Sequence, residues 1–159
     1  MPKSKKSNVN QRMVTENRKA RYNYSIENQL ECGLVLIGSE VKVLRLGLAN
    51  ITESYGSVEN EELWLINSYF PIYDKSKHFG HEERRKRKLL VKKRELSRLW
   101  HGTARNGMAL VPLKIYFNEI GLAKLMLGIA KGKKLADKRE TERKRDWEKQ
   151  KARILRERG

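Results

Sequence analysis

The 159-residue chain is 38% hydrophobic and 35% charged, carries a net charge of +17 and holds one cysteine, Cys32. That length supports one compact domain with extensions, and a charge so basic points to a polyanion, either nucleic acid or an anionic surface. A single cysteine excludes an internal disulfide and a multi-cysteine zinc site, and fits a reducing compartment.

Residues 1–16 are polar and basic without a periodic apolar face, and are expected to be a disordered basic arm. They contain no apolar segment of the kind a secretory signal needs. From Tyr22 the pattern changes. "YNYSIEN" alternates Tyr22, Tyr24 and Ile26 with polar residues and predicts a half-buried strand; the apolar run "CGLVLIG" predicts a second, more buried one. "SEVKVLRLG" predicts a short helix capped by Ser39 and ended by Gly47, although its valines favour a strand. "ANITESYGSV" and "ELWLINSYF" predict strands joined by a turn at "ENEE", and Pro71 with "YDKSKHFGHEE" an exposed loop.

In "KLLVKKRELSRLW" the spacing of Leu89, Leu90, Leu96, Leu99 and Trp100 predicts an amphipathic helix with a basic outer side. "GMALVPLKIYF" and "LAKLMLGIAKG" predict two strands separated by "NEIG". Five to seven short strands with helices filling gaps make a mainly β fold with flanking helices. The architecture expected over 17–131 is an OB-like β-barrel, a common platform for oligonucleotides.

Residues 132–159 form a basic C-terminal tail. Its apolar stripe is thin, Leu135 and then Trp147 with Ile154 beside Leu155, too little to anchor it. Helix-forming residues fill it, but an isolated helix of this length is marginal in water. The tail is therefore expected to be disordered or partly helical when free. The charge is zoned accordingly: +6 in 1–21, +6 in 82–98 and +7 in 131–159, against −4 in 22–81. Basic zones around a near-neutral body are the layout of a binding protein.

Catalysis finds little support. His78 and His81, followed by Glu82 and Glu83, are the one imaginable metal site, and they lack a cysteine partner. His101 is expected at the end of the basic helix, stabilised by its dipole. No catalytic triad, HExxH or phosphate-binding GxxxxGK[ST] pattern occurs. The chain is expected not to be an enzyme and to need no cofactor or metal. Tyr22, Tyr24 and Tyr55 beside Arg18, Lys19 and Arg21 supply what RNA recognition uses, aromatic faces next to cations.

"NRKARYNYSIE", "GLVLIGSEVKVLRLGLANITESY", "RKLLVKKREL" and "IAKGKKLADKRE" occur in the order and spacing of the SmpB family, the SsrA-binding proteins of bacterial trans-translation, and the chain resembles that family from about Asn17 to its end. The resemblance implies a cytoplasmic, monomeric adaptor that binds the tRNA-like domain of transfer-messenger RNA and takes it to stalled ribosomes for peptide tagging and rescue. Alanyl-tRNA synthetase and elongation factor Tu would act through the shared RNA. It implies RNA contacts for Asn17, Arg18, Lys19, Arg21, Tyr24, Glu31, Leu90 and Lys124. In the tail, Lys133, Lys134, Asp137, Lys138 and Arg139 match a decoding-centre motif that would grip ribosomal RNA. Trp147, Ile154 and Leu155 match apolar positions that would become helical in the empty mRNA channel.

Two positions depart from the pattern. Ala136 stands where the family commonly has His or Tyr before "DKR", and Val43 replaces the usual serine of "EVKSLR", a change expected to act on helix packing. The alternative reading is a ribosomal protein or initiation-type OB-fold factor resident on ribosomal RNA, which the same barrel and tails would serve. A small nuclease or RNA-modifying enzyme is a weaker alternative, resting on His78 and His81.

Overall fold

The computed structural model describes residues 12–73, 80–132 and 135–157. Among them β1 (Arg12–Glu16), α1 (Ala20–Asn23), β2 (Tyr24–Leu34), α2 (Gly38–Arg45), β3 (Tyr55–Glu59) and β4 (Glu62–Ile66) are followed by β5 (Arg87–Leu90), α3 (Lys93–Asn106), β6 (Ala109–Phe117), β7 (Ala123–Gly132) and α4 (Leu135–Glu157). Strands β6, β3, β4, β5, β2 and β7 pair in that order, all antiparallel, and β7 returns to β6 to close a barrel. Closure removes the free edges that an open sheet would expose. The seam between β3 and β6 rests on Gly56 opposite Leu110, where an added Cβ would lie 2.9 Å from Leu110 Cβ. Only glycine admits that approach.

The barrel interior is filled by Leu34, Leu44, Leu65, Phe70, Leu125 and Leu127 among others, each buried Leu stabilising by about 1.5–3 kcal/mol. A smaller cluster on the outside, Ala20, Val111, Leu113 and Ala130 with Tyr24, Ile26 and Met126 packed on it, seats α1 against β2, β7 and β6. Val43 is buried in the main core, so the departure at this position is a matter of α2 packing.

Several expectations are corrected. Residues 12–16 are not a disordered arm: β1 pairs with Lys114–Phe117 of β6, and residues 1–11 lie outside the described residues. Tyr22 belongs to α1, and the two strands expected from "YNYSIEN" and "CGLVLIG" are one strand, β2. A bulge between Ile26 and Asn28 is the reason for the broken pattern. An extra residue swaps the faces, so Tyr24 and Ile26 join the outer cluster whereas Cys32 and Leu34 enter the core. Leu89 and Leu90 lie on β5, one buried and one exposed in strand alternation, and the helix starts only at Lys93. It runs on to Asn106, ending at Gly107 with φ 62°, which leaves His101 mid-helix, edge-on to Trp100. The β3–β4 turn is as expected, with Asn60 and Glu61 at positive φ, the geometry that suits the twist of a two-residue hairpin.

Helix α2 ends as expected near Gly47, whose φ is +72°, but it is not capped by Ser39. The Glu40 carboxylate instead accepts from the Ile37 amide at 2.8 Å, and Ser39 is buried against His81. His81 is accordingly not on an exposed loop. Its Nε2 lies 2.9 Å from the Phe70 carbonyl and donates there, and its Nδ1 is hydrogen-bonded to the Ser39 hydroxyl at 2.8 Å. His78 lies outside the described residues.

Beneath α2, Glu40 and Arg87 form an ion pair with no exposure on either side chain, joined by Arg85. Arg87 also donates to Ser68 and to the carbonyls of Glu82, Glu83 and Arg85, and lies 3.8 Å from the Phe70 ring centroid. Burial alone would raise the Glu40 carboxyl; hydrogen bonds from Arg85 and Ile37 and the charge of Arg87 outweigh it and hold the carboxyl below its usual range.

Candidate nucleic-acid interface

In an antiparallel barrel, residues opposite one another on neighbouring strands point to the same face. Lys124 of β7 is paired with Gly33 of β2, which is paired with Leu90 of β5. Glu31, two residues before Gly33, shares its face, opposite Met126. Glu31, Leu90 and Lys124, spread over 94 positions of the sequence, therefore meet on one patch of the outer barrel wall. Leu90 is 53% exposed; Glu31 is exposed and Lys124 half-buried. Cys32, Leu89 and Leu125, their immediate neighbours in sequence, point into the core. Burial pushes the Cys32 thiol up to about 12, which leaves it an unreactive packing residue.

The other five expected RNA-binding residues gather at the opposite end of β2. Tyr24 starts that strand, about 23 Å along it from Glu31, and Arg18, Lys19 and Arg21 are exposed on and before α1. Asn17 does not share their exposure. It is 5% exposed; its amide nitrogen donates to the Pro112 carbonyl at 3.0 Å and its backbone N–H to Leu113 at 2.7 Å. It pins the chain entering α1 and so aims the cations beside it. A cleft of about 570 Å³ between α1 and β3 is lined by Lys19, Tyr24, Thr52, Tyr55 and Ser57, with the half-exposed Tyr55 at its edge. Met126 links the two ends, packing on the same outer cluster as Ile26 while lying opposite Glu31.

The tail is a helix over its described length. Trp147, Ile154 and Leu155 are 62%, 48% and 64% exposed on it, so no core accounts for them. Lys138 and Arg139 lie in its first turns, and Asp137 precedes them. Lys133, Lys134 and the side chain of Asp137 lie outside the described residues. Helix α4 touches the barrel at α1, where the Tyr22 hydroxyl donates to Glu142 Oε1 at 2.8 Å and the Arg145 guanidinium lies 5.7 Å from the Tyr22 ring centroid. The bond to Glu142 raises the Tyr22 phenol, keeping it a donor. This contact was not legible in the sequence, since 120 residues separate its partners.

The basic zone 82–98 is less available than its composition implies. Arg87 is buried, Lys86 is bonded to Glu59, and Lys88 lies 3.2 Å from Glu62. The cations left outward are Arg84, which donates to Asn67, and those of α3 and its start, Lys92, Lys93, Arg94 and Arg98. Among the described residues no group of three or more metal-ligating side chains occurs, and no helix is long and apolar enough to cross a membrane.

The model of the SmpB protein family matches residues 14–157. An SsrA-binding protein of Ruegeria pomeroyi is 60% identical over 151 residues, covering 95% of this chain and 96% of the relative. One of Cereibacter sphaeroides is 60% identical over 153 residues, covering 96% and 98%. Among solved structures, a chain described as "tmRNA-SmpB: a journey to the center of the bacterial ribosome" superposes with a TM-score of 0.64 at 49% identity, covering 76% of this chain and 85% of that one.

Proposed function

The chain belongs to the SmpB family, and from that premise we propose that it is an RNA-binding adaptor: it holds the tRNA-like domain of transfer-messenger RNA on its barrel and carries it to stalled ribosomes. The observation that carries this reading is the meeting of Glu31, Leu90 and Lys124, from three strands, on one outward patch. A cation, a carboxylate and an exposed apolar side chain are a set that RNA uses: phosphate to Lys124, an amino or 2′-hydroxyl donor to Glu31, and a splayed base over Leu90. Arg18, Lys19, Arg21 and Tyr24 form the second half of the surface, positioned by Asn17. The protein supplies recognition; the bound RNA brings alanyl-tRNA synthetase and elongation factor Tu.

The tail acts later. Lys133, Lys134, Lys138 and Arg139, with Asp137 among them, would hold ribosomal RNA at the decoding centre, and Trp147, Ile154 and Leu155 would be covered in the vacant mRNA channel. Stacking on a base contributes about 1–3 kcal/mol, enough for Trp147 to weigh in that step.

The test is binding of the full-length protein to the tRNA-like domain, against a duplex of equal length at fixed moderate salt. A clear preference for the tRNA-like RNA, weakened by Lys124→Ala, is expected. Equal binding of both RNAs would reduce the interaction to its +17 charge and overturn the reading.

A further inference from the structure

Leu90 and Glu31 are held in place by residues that neither charge nor hydropathy singles out. We propose that Met13, Tyr116, Lys124, Gly33 and Leu90, in register across five strands, form one seat for splayed nucleotides of an RNA loop, in which Tyr116 positions Glu31 and Gly33 positions Leu90. The proposal rests on the RNA-binding reading above.

The register is continuous: Met13 of β1 is opposite Tyr116 of β6, Tyr116 opposite Lys124, Lys124 opposite Gly33, and Gly33 opposite Leu90. Four interstrand steps make a row about 19 Å long. Its two ends are apolar and uncovered, with Met13 51% and Leu90 53% exposed. A single exposed apolar residue is ordinary on any surface. Two of them flanking a lysine in register, with the Glu31 carboxylate two residues along β2 on the same face, fit a nucleotide chain, with bases against the ends and phosphate at the centre.

Tyr116 is 4% exposed, yet its hydroxyl reaches outward to donate to Glu31 Oε2. An exposed glutamate alone would sample several rotamers; a hydrogen bond to its charge fixes one. Burial, and then the bond to Glu31, push the phenol up, so it stays a donor across the neutral range. The Lys114 ammonium, 5.5 Å from the ring centroid, packs against Tyr116.

At Gly33 the backbone is not in the left-handed region, so conformation does not demand glycine. Space favours it: an added Cβ would lie 3.1 Å from Leu90 Cβ and 3.4 Å from its Cδ1, so Leu90 would have to give way. Leu90 therefore leans over the bare backbone of β2, which lies between it and Lys124. A side chain at 33 would turn it away.

The test uses full-length protein, fluorescence anisotropy, the tRNA-like domain and an equal-length duplex. Tyr116→Phe and Gly33→Ala should each weaken the tRNA-like RNA about five- to tenfold and Met13→Ala about threefold, with duplex binding unchanged. Tyr116→Phe should cost nothing further in a Glu31→Ala background, where no acceptor is left, nor Gly33→Ala in Leu90→Ala, where the clash is also relieved and folding protected. Effects that persist in those backgrounds, or that lower duplex binding in parallel, would make both residues merely structural and overturn the seat. If Lys124→Ala and Glu31→Gln weaken binding while Tyr116→Phe, Gly33→Ala and Met13→Ala do not, the seat fails and the RNA reading stands. If none of the five matters, the RNA reading itself fails.

Discussion

The barrel wall under α2 and the helix α4 invert each other's rules. Under α2 an arginine and a glutamate are wholly buried; on α4 a tryptophan and two aliphatic residues stand in solvent. Each buried charge is satisfied within the chain, by its counter-ion and by the carbonyls around Arg87. The exposed apolar residues of α4 are satisfied by nothing in the chain that is described. Residues whose needs are met internally hold the fold together. Those whose needs are unmet are available to a partner.

The comparison breaks most sharply at Glu40. Glu40→Ala leaves Arg87 buried without its counter-ion, and should lower the unfolding free energy in urea by about 3–5 kcal/mol. Arg145→Ala on α4 should move it by less than about 0.5 kcal/mol. Comparable losses would mean that α4 is as much a part of the folded unit as α2.

Acid provides the next test. The folded Glu40 carboxyl is held low, so its stabilisation is fully present above the unfolded carboxyl value of about 4.3 and is lost as pH falls through the lower folded value. Urea midpoints should decline below about pH 4, more gently in Glu40→Gln. An unchanged decline in that variant would place the acid sensitivity elsewhere.

Loss of a phosphate contact ranks third. Lys124→Ala should weaken the tRNA-like RNA severalfold and reduce the salt slope by about one ion. Trp147→Ala should leave both stability and that binding intact and lower tagging on stalled ribosomes. Equal loss of RNA binding in the two variants would erase the division between wall and tail. The smallest effect belongs to Tyr22→Phe, which removes one surface hydrogen bond: α4 amides should exchange a few times faster, with the barrel amides unmoved.

What the sequence made legible follows the same division. Strands β3, β4, β6 and β7 and helix α2 were readable because their patterns are local: alternation, a turn, a terminating glycine. β2 was not, because its bulge transfers the even-numbered residues from the outer face to the core at Asn28. Leu89 and Leu90 fell on a helical spacing with Leu96 by coincidence, and only pairing with β2 and β4 makes them a strand. The basic zone 82–98 overstated the available charge, since the partners of Arg87, Lys86 and Lys88 lie 26–47 residues away. The surface residues Glu31, Leu90 and Lys124 were found by resemblance. Tyr116, 85 residues from Glu31, carried no local signal that it would hold that carboxylate.

One feature of α4 sets a length scale. Its 23 residues make a rod of about 35 Å, joined to α1 at Glu142 and Arg145, so that Leu155 stands about 20 Å beyond the Tyr22 hydroxyl's acceptor. A swing of about 10° at that pivot carries Leu155 through about 3–4 Å, close to the spacing of stacked bases, while the barrel wall stays still. With its fulcrum on α1, such a rod turns a small change of angle at Tyr22 into a larger displacement at a tip far from it.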